Sequence, residues 1–127
     1  LSEGADVAII ACGVLVSQAL IAKEKLSEQG ISATIVDMHT IKPLDTDLVL
    51  DLARKCNAIV TAEDHSIIGG LGGSISEFLS STYPIPLERV GVKDRFGESA
   101  EADEMLEIME LTSDDIVSAA IRAFQRK

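Results

Sequence analysis

The chain alternates short, unbroken apolar runs with longer stretches in which apolar residues recur every three or four positions. Asp6-Val7-Ala8-Ile9-Ile10-Ala11-Cys12 is such a run, and its continuity predicts a central strand buried on both faces. From Val14 to Gln29 the spacing turns helical, with Val16, Ala19, Leu20, Ala22 and Leu26 on one face and the Lys23 stem at its edge. Gly30 stands where a helix stop belongs. Ala33 to Met38 predicts a second strand. Pro43 excludes helix through Lys42, and Asp45 then caps a helix that Leu48, Leu50, Leu52 and Ala53 line as far as Cys56. Asn57 predicts a left-handed stop.

Ala58-Ile59-Val60-Thr61-Ala62 predicts a third strand, ending in the polar triplet Glu63-Asp64-His65. The glycine-rich turn Gly69-Gly70-Leu71-Gly72-Gly73 follows, then a helix from Ser74 to Ser81 with Ile75, Phe78 and Leu79 inward. Tyr83-Pro84-Ile85-Pro86 is an extended connector. Leu87 to Val92 predicts a fourth strand, Ala102 to Met109 a short helix, and Ile116 to Gln125 a last helix. Strands alternating with helices require a mostly parallel sheet covered on both faces. A fifth, antiparallel edge strand is expected around Phe96.

Residues 1–127 amount to one domain's length. With three Phe, one Tyr and no Trp, the core has to be built from Ile, Leu, Val and Ala. The formal net charge of -10 argues against nucleic acid and anionic membranes as partners. Two cysteines, Cys12 and Cys56, make no disulfide framework. No run is apolar enough to span a bilayer, and no signal peptide is visible, so the expected location is the cytoplasm. The chain begins with Leu1 rather than Met, which suggests a piece cut from something longer or a sequence whose start is missing.

The candidate chemistry lies at the strand ends. Gly69, Gly70, Gly72 and Gly73 before a helix could offer backbone N–H groups to an anion. Their spacing matches neither the dinucleotide nor the Walker fingerprint, so close backbone packing is the favoured reading. Glu63, Asp64 and His65 could act in acid–base work, but neighbours on an extended chain point to opposite sides and at most two converge. A structural or interface role is favoured. His39 could line a pocket mouth, although a lone histidine at a strand end is more often a surface residue. Arg95 could bind a phosphate or pair with a carboxylate. No serine sits as in a nucleophile elbow.

Four stretches together resemble one family. Val36-Asp37-Met38-His39-Thr40-Ile41-Lys42-Pro43-Leu44-Asp45, Glu63-Asp64-His65 with Gly69-Gly70-Leu71-Gly72, Asp94-Arg95-Phe96-Gly97-Glu98-Ser99, and Leu111-Thr112-Ser113-Asp114-Asp115-Ile116 resemble, in this order, segments of the C-terminal domain of transketolase-type, thiamine-diphosphate-dependent enzymes. Ala100 and Glu110 stand where that family often has glycine. The resemblance implies a three-layer α/β/α sandwich on a five-stranded, mostly parallel sheet with one antiparallel edge strand. In the family the diphosphate-binding Gly-Asp-Gly motif and the cofactor-activating glutamate belong to the two preceding domains, and neither motif occurs here. It therefore implies no catalytic, cofactor-binding or metal residue in this chain. Thiamine diphosphate and Mg would be held by the holoenzyme, a homodimer, and the partners would be the upstream cofactor-binding domains or subunit. His39, Glu63, Asp64, His65, Gly69, Gly70, Gly72 and Arg95 are then expected at an interface or pocket rim. 1-Deoxyxylulose-5-phosphate synthase and the β subunit of 2-oxo acid dehydrogenases share this resemblance. A stand-alone anion- or nucleotide-binding module and a regulatory interaction domain are the readings from other classes.

Overall fold

The computed structural model describes residues 6–12, 15–37, 45–66, 71–92 and 112–127. These hold β1 (Val7–Ala11), α1 (Leu15–Glu28), β2 (Ala33–Asp37), α2 (Thr46–Cys56), β3 (Ile59–Ser66), α3 (Leu71–Thr82), β4 (Leu87–Val92) and, last in the chain, α4 (Ser113–Gln125). The strands form one parallel sheet in the order β2-β1-β3-β4. The chain starts in the middle, steps to one side with β2, then crosses to the other with β3. That reversal makes the carboxyl ends of β1 and β3 a topological switch point, where open α/β sheets leave a crevice.

Alternate residues of each strand feed two separate cores. Val7, Ile9 and Ala11 of β1 join Ala33, Ile35, Val60, Ala62 and Val90 beneath α1 and α4. Ala8, Ile10 and Cys12 join Val36 and Ile59 beneath α2 and α3. Period-two side chains with helices on both sides explain why these strands read as unbroken apolar runs. Among the described residues the sheet has four strands, all parallel, rather than the five expected. The antiparallel strand expected around Phe96 and the helix expected from Ala102 to Met109 lie outside the described residues.

The helix ends follow their cap chemistry. Gly30 has φ 80°, and Ile31 N–H donates to the Leu26 carbonyl at 3.0 Å, closing α1. Asp45 Oδ1 accepts from Leu48 N–H at 3.1 Å, capping α2. Ahead of α4, Asp115 Oδ2 accepts from the Thr112 N–H at 2.9 Å and the Thr112 hydroxyl at 2.7 Å. Gln18 Oε1 accepts from Ser113 N–H at 2.9 Å, and Lys25 Nζ donates to Ser113 Oγ at 2.9 Å, so α1 holds the start of α4.

The inward faces differ in detail from the expected ones. On α1 the buried residues are Leu15, Ala19, Ala22 and Leu26, while Leu20 is exposed. On α2 they are Val49, Leu52, Ala53 and Cys56, with Leu48 at the margin. Phe78 is half-buried beside Ile75 and Leu79 on α3.

Candidate functional site

The site is built at the carboxyl end of β3, where this strand outlasts its neighbour. Cys12 N–H donates to the Ala62 carbonyl at 3.1 Å, and β1 ends there. β3 continues to Ser66, beyond the expected end at Ala62. The pairing with β4 shows how. Ala62 is opposite Val90, but the next pair is Ser66 with Val92. Glu63, Asp64 and His65 on β3 thus face only Gly91 on β4, a bulge that breaks the register. The polar triplet does not end the strand; it is accommodated by bulging it. A bulge at a sheet margin re-aims side chains, so strand alternation no longer decides which of the three lie together.

Glu63 is 1% exposed. Among the residues whose burial the structure describes, it is the only Asp, Glu, Lys, Arg or His that is buried. A carboxylate is not buried without donors, and Glu63 is not without a partner. Thr61, two residues earlier on β3 and paired with Ile10 of β1, is also 1% exposed. Among the described residues its Oγ1 has no hydrogen-bond partner. Apolar periodicity alone does not single out this threonine. Its signal was a hydroxyl inside an apolar strand, two residues before a carboxylate.

Of the other expected rim residues, Asp64 and His65 lie on the bulged backbone beside Glu63. Gly72 falls in the first turn of α3, which begins at Leu71 rather than Ser74. His39, Gly69, Gly70 and Arg95 lie outside the described residues. The structure thus places Glu63, Asp64 and His65 in one bulge and Gly72 at the start of the following helix.

The remaining polar features sit elsewhere. Cys56, the last residue of α2, is buried against the sheet. Burial pushes its thiol above the ordinary value, and the Thr34 hydrogen bond and the Lys55 charge oppose this only in part. An open cavity of about 220 Å³ lies at the opposite end of the sheet, lined by Lys23, Ser27, Ile31, Ser32 and Ala33. Among the described residues no group of three or more His, Cys, Asp or Glu is arranged to hold a metal ion. None of the described helices is long and apolar enough to cross a membrane.

A parallel sheet with helices on both faces matches the fold of the transketolase C-terminal domain, and the profile of that family matches residues 1–116. The chain belongs to this family. It is 48% identical over 127 residues to the 6-deoxy-6-sulfo-D-fructose transketolase subunit of Clostridium sp. (strain MSTE9), covering 100% of this chain and 39% of that protein. It is 38% identical over 128 residues to the 1-deoxy-D-xylulose-5-phosphate synthase of Trichormus variabilis, covering 100% of this chain and 20% of that enzyme. A solved split-gene transketolase, an inactive beta4 tetramer, superposes with a TM-score of 0.95 at 47% identity, covering 98% of this chain and 41% of that one. The chain spans about two-fifths or less of the length of these relatives.

Proposed function

We propose that this chain is the non-catalytic C-terminal domain of a transketolase, serving dimer and domain assembly. The holoenzyme, a cytoplasmic homodimer, would move a two-carbon ketol unit between sugar phosphates. Thiamine diphosphate and Mg would be held by upstream domains or a companion subunit. The observation that carries this reading is the likeness to the split-gene transketolase, whose beta4 tetramer is inactive. On this reading the bulge at Glu63, Asp64 and His65 and the first turn of α3 with Gly72 belong to the rim that meets those domains, and His39, Gly69, Gly70 and Arg95 are proposed to contribute to the same rim. Docking is favoured over chemistry because the sequence offers no serine placed as in a nucleophile elbow.

The 38% identity to a 1-deoxy-D-xylulose-5-phosphate synthase keeps one second reading in view, the same domain of that enzyme. The anion-binding reading is weakened by Glu63. A buried carboxylate just ahead of the glycine corner opposes a second negative charge there.

The test is reconstitution. The chain is mixed with a companion polypeptide that carries the Gly-Asp-Gly motif and the activating glutamate. The mixture should sediment as one species and transfer ketol units, while the chain alone shows no turnover. Turnover by the chain alone would refute the reading.

A further inference from the structure

The two flanks of α1 are used differently. At about 100° per residue, Gln18 and Lys25 share one flank, Ala19, Ala22 and Leu26 face the core, and Lys23 and Ser27 share the other flank. The first flank grips α4: Gln18 accepts from Ser113 N–H, and Lys25 donates to Ser113 and, at 2.7 Å, to Asp114. The second flank meets no helix among the described residues. Beside it, Gly30 turns the chain back at φ 80°, Ile31 is drawn inward, and Ser32 and Ala33 lead into β2. The open cavity of about 220 Å³ lies between this flank and that strand start.

Its cation has no counter-ion. Lys25 pairs with Asp114, and Arg122 and Arg126 pair with Glu88. Lys127 donates to the Asp6 carbonyl and stands over the Phe124 ring. Arg89 is not without a partner. Arg54 and Lys55 are exposed on α2. Lys23 is half-buried, and among the described residues no carboxylate pairs with it. The Asp6 carboxylate takes the Ser32 N–H at 2.8 Å and leaves the Ser32 hydroxyl unused. In a chain with 21 acidic residues and 11 basic ones, a half-enclosed ammonium left unpaired in a cavity points to an anion from outside.

We propose that this cavity binds a small organic phosphate, with Lys23 Nζ and the Ser27 and Ser32 hydroxyls donating to its phosphoryl oxygens. A phosphomonoester brings three acceptor oxygens and about two negative charges. That matches three donors, one of them charged, whereas a carboxylate has only two oxygens. Volume sets the rest of the ligand. At ~30 Å³ per water, 220 Å³ holds about seven waters, less than the roughly 300 Å³ at which pockets for drug-sized ligands begin. A nucleotide is too large; a phosphate on a short carbon skeleton is not. Ile31, Ala33 and the Lys23 stem give that skeleton an apolar wall. The proposal does not rest on the assembly reading, because the cavity and the Glu63 bulge lie at opposite ends of the sheet.

The test is an amide chemical-shift titration of the chain with glycerol 3-phosphate, inorganic phosphate and chloride at matched ionic strength. Glycerol 3-phosphate should give saturable shifts centred on residues 23–33. Lys23→Met keeps the stem and removes the charge, and should weaken binding by about tenfold or more, the scale of one hydrogen bond to a charged group. Ser27→Ala should weaken it less, since a hydroxyl is a neutral donor. Lys55→Met, on α2, should leave it unchanged. Inorganic phosphate should bind more weakly, having no carbon skeleton to cover. Shifts that never saturate, shifts that chloride reproduces, or binding that survives Lys23→Met would overturn the proposal. Equal affinity for the two phosphates would overturn the assignment of an organic ligand.

Discussion

At Asn57 the backbone takes a left-handed turn, φ 57°, that ends α2 and admits β3. Its N–H donates to the Ala53 carbonyl at 2.8 Å, closing the helix. Its side chain accepts from Tyr83, tying this corner to the connector after α3. Both Asn57→Gly and Asn57→Ala lose that side-chain bond, but only alanine pays the steric cost of positive φ. Asn57→Ala should therefore be about 1 kcal/mol less stable than Asn57→Gly in urea unfolding; equal midpoints would contradict the account. Asn57 and Gly30 could be read in advance because only a few residue types tolerate that conformation. Glu63 and Thr61 could not be read so. Their burial depends on what α2 and α3 cover, which composition and spacing do not reveal.

The strands and helices were legible because each apolar run had a length and a period that only one element type satisfies. The misjudged points are those where tertiary pairing overrode local pattern. β3 continues past Ala62 because β4 supplies partners up to Val92. α3 starts before Ser74, through two glycines, because Ile75 and Leu79 anchor the helix to the sheet. Contact between α2 and β2 yields a pH prediction. Cys56 closes α2 against Thr34, and burial raises its thiol pKa. A raised folded pKa means that the neutral thiol's stabilisation is whole below the unfolded value, about 8.5, and is lost as pH climbs through the folded value. The stability gap between wild type and Cys56→Ala, read from urea midpoints, should narrow as pH rises above about 9. A gap that stays constant from neutral to alkaline pH would count against the thiol being held neutral by burial.

On the scale of the molecule, the reversal of strand order between β1 and β3 puts a polar bulge and a glycine-rich helix start at one end of the sheet. The two apolar cores on the sheet's faces are complete without that end. Glu63 there is buried inside the fold rather than presented at its surface. The four matching stretches made the family legible in the sequence, since their order along the chain follows the order of β2, β3, the segment after β4 and α4. Which of their residues would meet a partner, on the proposed reading, was not legible, because apolar pattern and spacing carry no information about an outside surface.

The most direct measurement is calorimetric titration of thiamine diphosphate with Mg into the chain, alone and then mixed with the companion domains. The account predicts no saturable heat from the chain alone and stoichiometric binding in the mixture. One-to-one binding by the chain unaided would contradict it.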